Sequence, residues 1–272
     1  MVFFYCKKWA IHCQALVGWI ALWYTGEKGG ISMSVFDISS AGLHILAMVF
    51  MLLDHLWATV VPGNEWMTCV GRLAFPIFAF LLVEGFFHTR SRKKYALRLF
   101  VFAMITEIPF NLMCAGRIFY PIHQNVLWTF LIAFGLMAWN ERARDAALWR
   151  RLLRFAATFL VGLLVGLLTM VDYYGYGVAM VLVFYLFRGN TLYHRVGQFA
   201  GLFWINAELI GGRGYELEFL GHSWFVQQQA LAVFSLVFIW LYRGRKGHSS
   251  KIFQYFCYAF YPVHMLILGL LR

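Results

Sequence analysis

GRLAFPIFAFLLVEGF, residues 71–86, is the stretch on which the fold turns. It lies inside an apolar run at 66–87, close to the roughly 20 residues a helix needs to cross a bilayer, yet it carries Arg72, Pro76 and Glu84. Working outward, apolar runs of similar kind fall at 43–61, 95–115, 124–139, 152–171, 174–188, 196–210, 223–242 and 253–271. Composition agrees. Of 272 residues 62% are hydrophobic and 13% charged, against about 25% charged in a soluble domain. Such a chain has too few polar side chains to cover a water-facing surface. The 19% aromatic content suits Trp and Tyr at membrane interfaces. The expected fold is all-α, a polytopic integral membrane protein with about nine transmembrane helices, or ten if the N-terminal segment also spans.

The formal charge of +11 is a topology signal rather than a nucleic-acid signal. Connections near 88–98, 140–154, 188–195 and 243–251 hold 16 of the 23 Lys and Arg residues. The alternate connections hold only Arg117 and Arg213, and Arg272 ends the chain. Positive charge marks the cytoplasmic side, so 62–65, 112–123 and 211–222 are expected outside. Residues 1–32 fit this frame poorly. Trp9–Tyr24 is 16 residues long, and Lys7 and Lys8 would lie outside if it crossed. It reads as an extension or an interfacial helix, with the membrane domain over 33–272 and Met33 an alternative start. It does not resemble a cleaved signal peptide. The five cysteines show neither metal-ligand spacing nor a disulfide framework, no metal is expected, and a Cys69–Cys114 bridge is a minor alternative.

Ionisable groups in a span are expensive unless they face the protein interior. Here they are Asp54 and His55, Arg72 and Glu84, Glu107, Glu208 and His264, joined by Asn111, Gln124, Asn125, Asp172 and Asn206. Most would lie in the outer half of the membrane, as a polar cavity or as hydrogen-bonded links between helices. His44 and His55 stand 11 residues apart, three helical turns, within about 20° of one face and about 16 Å apart along the axis. Met48 and Met51 complete that stripe. Asp54 points about 100° away from His55, so Arg72 is its more natural partner. Pro109 in TEIPFN leaves the Ile105 carbonyl unbonded. DYYGYG at 172–177 reads as a tight turn.

Together LLDH at 52–55, the quoted run at 71–86, EIPFN at 107–111, QNVLWTF at 124–130, DYYGYG at 172–177 and FYPVHM at 260–265 resemble the TraX family of bacterial membrane proteins. The resemblance covers about 33–272. It implies a transmembrane acyltransferase of the bacterial inner (cytoplasmic) membrane, similar to enzymes that carry acetyl from cytoplasmic acetyl-CoA to an acceptor on the far side. The family's founding member acetylates a pilin N-terminus. The resemblance makes His55 the catalytic histidine and His44 its partner 11 positions before, where relatives more often have Lys. On that reading His55 is a general base or transient acetyl carrier, helped by Asp54 and His264. Arg72, Gln124 and Asn125 are candidate oxyanion donors. Glu107, Asn111 and Asp172 are candidates to hold the acceptor, and Arg90, Arg92, Lys93 and Lys94 to meet the phosphates of acetyl-CoA, the expected cosubstrate. The other partners are lipid and an unidentified acceptor, with no nucleic acid; self-association stays open. The rival reading is a transporter or channel with a buried proton relay, against which no inverted repeat is visible.

Overall fold

The computed structural model describes residues 37–219, 221–247 and 250–272. Residues 38–272 form one compact unit, and Met1–Asp37 another, of which only Asp37 is described. The expectations for 1–32 and for Met33 lie outside the described residues.

The unit is built of α1 (Ser40–Thr59), α2 (Glu65–Gly71), α3 (Ala74–His88), α4 (Arg92–Ala115), α5 (Val126–Glu141), α6 (Leu148–Leu168), α7 (Tyr174–Leu186) and α8 (Leu192–Phe203). A π-helical turn (Trp204–Ile210) extends α8. A hairpin of β1 (Gly214–Phe219) and β2 (His222–Gln227) follows, then a 3₁₀ turn (Gln229–Phe234), α9 (Ser235–Trp240) and α10 (Lys251–Leu271). Short polar side chains start the helices. Ser39, Ser91, Asn125 and Ser250 accept from the backbone N–H of Gly42, Lys94, Leu127 and Phe253, satisfying donors that a helix start leaves free. Gly116 ends α4 at φ 65°, the left-handed stop that glycine adopts without strain.

Loops sort to two ends. At one end the Ser40 N–H bonds the Arg245 carbonyl at 2.9 Å, Arg188 meets Glu84 at 2.7 Å and Arg92 approaches Glu141 at 3.8 Å. At the other, Arg72 meets Asp54 at 2.8 Å, Tyr215 donates to Glu65 at 2.9 Å and the Gln124 N–H bonds the Met170 carbonyl at 2.9 Å. The first end gathers the four basic connections, and the other gathers the remainder, as the Lys and Arg count requires. Five described helical stretches are long and apolar enough to cross a membrane: Ser40–Thr59, Glu65–His88, Arg92–Ala115, Leu148–Leu168 and Lys251–Leu271. Val126–Glu141, Tyr174–Leu186 and Gln229–Trp240 are shorter apolar helices. The protein is a multi-pass, largely helical membrane protein.

The shorter helices sit where thickness matters least. In α7, Val178–Val183 and Phe184 are all buried, because α3, α5, α6 and α8 surround it. Apolar side chains gain little from leaving lipid, so close approach of small residues drives this packing. A Cβ on Gly166 of α6 would lie 2.6 Å from the Gly175 backbone of α7. On the other side, α10 packs on α4 and α1.

One expectation needs correction. The run at 223–242 is not one span: Ser223–Gln227 belong to β2 and helix begins at Gln229, because Tyr215 and Val226, Glu216 and Phe225 and their neighbours pair in antiparallel register. A hairpin on an otherwise helical unit satisfies its own backbone donors there. The run at 66–87 is a span as expected, Glu65–His88, with a short turn at Arg72–Leu73 between α2 and α3. Pro109, by contrast, leaves α4 continuous.

Candidate active site

Helices α1 and α10 bring His55 and His264 together. His55 Nδ1 lies 2.8 Å from His264 Nε2, with the ring planes 6° apart. His264 Nδ1 lies 2.6 Å from the Phe260 carbonyl oxygen one turn earlier. A carbonyl only accepts, so His264 Nδ1 carries the hydrogen, and in the neutral ring Nε2 is then an acceptor. His55 Nδ1 must donate to it, which leaves the lone pair of His55 on Nε2. The Phe260 carbonyl thus fixes the tautomers of both rings. Phe260 also stacks on the His264 ring, with centroids 4.7 Å apart, and His264 is 6% exposed.

A cavity of about 170 Å³ lies between α1, α3, α4, α5 and α10. Its α1 wall is His44, Met48 and Met51; His55, the far end of the 11-residue stripe, lies one turn beyond and is not part of the lining. Phe260 and Tyr261 border it beside His264. Tyr95, Arg98 and Tyr258 border it toward the basic end, where Arg98 stands 5.4 Å and 6.0 Å from the Tyr95 and Tyr258 rings. His44 Nδ1 bonds the Ser40 carbonyl at 2.8 Å, so its Nε2 too is an acceptor in the neutral ring.

Asp54 does not reach His55. It binds Arg72 at 2.8 Å, and nothing but a Gly71 hydrogen fits against it, since a Cβ there would collide with the Asp54 side chain. Arg72 also donates to Thr68 Oγ1 at 2.7 Å and to Gln229 at 3.5 Å, and Gln229 donates to Asn206 at 2.8 Å. Asp54 therefore holds the Arg72 guanidinium rather than His55. Asp172 and Tyr173 also act on Arg72.

Glu107 anchors a second group. Asn125 donates to the Ala103 carbonyl at 2.9 Å and to Glu107, and Trp128 donates to Glu107 at 3.1 Å. Both amide hydrogens of Asn125 are used, so it links helices and has no donor left for an oxyanion. Glu107 Oε1 is buried without a hydrogen-bond partner. Gln124 turns to the Pro121 carbonyl at 2.7 Å, away from the cluster, and its backbone pairs with Val171. Asn111 donates to the Ile118 carbonyl at 3.2 Å and pins that loop. Asp172 meets His123 at 3.5 Å, and its carbonyl accepts from Thr129 at 2.7 Å. The hydrogen bond to Asp172 raises the pKa of His123 above its usual value. Glu208 is exposed on the π-helical turn. Arg90, Arg92, Lys93 and Lys94 are exposed at the start of α4, with Arg92 4.1 Å over the Phe86 ring and paired to Glu141. Arg98, not these, lines the cavity. Cys69, Cys114 and Cys257 are free.

Two contributors escape the sequence reading. Gln229 closes on Arg72 from a segment read as the interior of a span. Its signal is the polar run Gln227–Gln229 in apolar surroundings. Tyr173 and Tyr174 have φ of 59° and 48° and Met170 has φ of 50°, a left-handed backbone that non-glycine residues rarely hold unless their surroundings enforce it. Phe75 stacks on Tyr173 with centroids 4.4 Å apart.

Comparison with known proteins gives a consistent answer. The chain is 28% identical over 257 residues to the "Probable fimbrial assembly protein FimC, serogroup H1" of Dichelobacter nodosus, covering 85% of this chain and 95% of that one. It is 32% identical over 162 residues to "Protein TraX" of Escherichia coli, covering 58% of this chain and 60% of that protein. No solved structure matches. The family described as TraX protein matches residues 39–272, and the chain belongs to the TraX family.

Proposed function

We propose that this protein is a transmembrane acetyltransferase of the bacterial inner membrane. It takes acetyl from acetyl-CoA at the basic, cytoplasmic end and passes it to an amine or hydroxyl at the opposite end. The observation that carries the reading is the fixed tautomer of His55, one helical turn beyond Met51 in the wall of a cavity that runs toward the basic end. Membership of the TraX family and the name of the fimbrial assembly relative support an acceptor among pilus or fimbrial subunits.

The residues fit such a substrate. The cavity is slim and mostly apolar-walled, as a pantetheine arm requires, with Arg98 at its basic end. Arg92, Lys93 and Lys94 crowd the first turn of α4, where no acidic residue sits. Cations at a helix N-terminus are unfavourable, and a docked phosphate reverses the sign of that interaction.

In the reaction, His55 Nε2 takes the proton from the acceptor as its nitrogen or oxygen bonds to the thioester carbonyl carbon. Arg72, held by Asp54, stabilises the oxyanion. Collapse breaks the carbon–sulfur bond, and the proton on His55 returns to the leaving thiolate. A positioned base of this kind accounts for about 10²–10⁴-fold. His264 keeps the lone pair of His55 on the reacting nitrogen. The test is purified protein in liposomes with radiolabelled acetyl-CoA and candidate acceptors. Acetyl transfer, or acetyl-CoA hydrolysis, should vanish in a folded His55→Ala variant. Solute flux without acetyl chemistry would instead identify a transporter.

A further inference from the structure

A second cavity, of about 280 Å³, lies at the basic end on a different face of α3. Phe80, Glu84 and His88, spaced four apart, turn one face of that helix to it, whereas Phe78, Leu81 and Leu82 turn to the cavity near His55. The two cavities share no lining residue. The acetyl-transfer reading uses none of these side chains, including Glu84 of the most distinctive sequence run.

Arg188, Asn190 and Arg243 of the lining are exposed at the loop end of the molecule, over a floor of Phe80, Ile239 and Trp240. Arg188 spends Nε and Nη2 on Glu84, at 2.7 Å and 3.4 Å, which leaves Nη1 unspent. Arg243 and the Asn190 side chain also line the cavity, and neither makes a hydrogen bond or ion pair with any described residue. Glu84 neutralises one of the two guanidinium groups, so the lining keeps a net positive charge. Gln198 accepts from Trp240 Nε1 at 2.8 Å and donates to the Phe187 carbonyl at 2.8 Å, tying α8 to α9 behind the cations. Trp240 and Tyr242 complete the lining. An unpaired guanidinium and an unspent amide at the rim of one cavity suit an anion with several acceptor oxygens. A phosphate ester supplies them in the geometry that Arg binds best.

We infer that this cavity binds a phosphate ester, separate from the site at His55. The surroundings favour an anionic phospholipid. Leu192 and Val196 of α8 and Val237 of α9 are 40–53% exposed, apolar surface for acyl chains on two of the elements that contribute to the cavity. Anionic lipid is enriched on the cytoplasmic side, where basic segments meet it. The same chemistry is offered by the phosphates of a soluble nucleotide.

Two ligands distinguish the sources. The full chain in detergent is titrated with dioleoyl-phosphatidylglycerol, read by native mass spectrometry against dioleoylglycerol, and with 3′,5′-ADP, read by calorimetry. One phosphatidylglycerol should be retained where dioleoylglycerol is not. Arg243→Gln should weaken it by roughly tenfold, the size of one charge-assisted hydrogen bond, with a smaller loss in Asn190→Ala. Arg144→Gln, an exposed cation of the same end, should leave it unchanged. If 3′,5′-ADP alone shows this pattern, the site stands and its ligand is a nucleotide. Equal losses in Arg243→Gln and Arg144→Gln, or no loss in either with both ligands, overturn the inference. His55→Ala should bind as the wild type does, which separates this site from the acetyl reaction.

Discussion

The hydrogen on His55 is placed by an atom that it never touches. Because the Phe260 carbonyl can only accept, the donor–acceptor order runs outward through His264 and leaves His55 Nε2 bare. We expect His264→Ala to lower kcat by about 10²-fold at little change in KM, with His264→Gln recovering part of the loss, since its amide oxygen can still accept from Nδ1. An unchanged kcat in His264→Ala would show that the pair is only packing. His123 permits a pH prediction. Its folded pKa is raised by Asp172, so the pair's contribution to stability is full below the ordinary histidine value of 6.5 and fades as pH rises through the folded value. The difference in melting temperature between wild type and His123→Gln should therefore shrink from pH 6 toward higher pH. A difference that grows with pH would contradict the pairing.

Among elements, the contact of α6 with α7 is the most exacting. Gly166 meets the Gly175 backbone, and a Cβ on Gly175 would in turn run into the Leu163 backbone. Backbone cannot swing aside as a side-chain end can. Gly166→Ala should destabilise by about 1–3 kcal/mol, the usual size of overpacking, read as a lower melting temperature in detergent. Gly135→Ala, where nothing lies within 4 Å of the new carbon, should be close to neutral. Since α7 is also the helix that follows the left-handed backbone at Met170, Tyr173 and Tyr174, a shift there moves Tyr173 against Phe75 and Arg72, so Gly166→Ala should reduce acetyl transfer as well.

For the whole molecule, the arrangement of loops is a statement about sides of a membrane. Single cysteines placed at Arg117 and at Arg144, in a background without the native cysteines, should be labelled by an impermeant maleimide from opposite sides. Arg117 should react in intact cells and Arg144 only after permeabilisation. Labelling of both from one side would remove the topology, and with it any passage of acetyl from one end to the other.

How much of this was legible in the sequence follows from what each signal depends on. Hydropathy and the placement of Lys and Arg depend on solvent alone, so the multi-pass helical fold, its two ends and the pairing of Asp54 with Arg72 could be read from residue order and helix periodicity. The 11-residue register likewise places His44, Met48 and Met51 on one helix face, which walls the cavity, with His55 one turn beyond it. Contacts between distant segments depend on which faces meet. Nothing local tells that Gln229 closes on Arg72, that Asn125 spends both hydrogens on α4, or that residues 214–227 fold back as a hairpin. Those choices rest on long-range packing and on the need to satisfy every buried donor, and only the assembled bundle makes them.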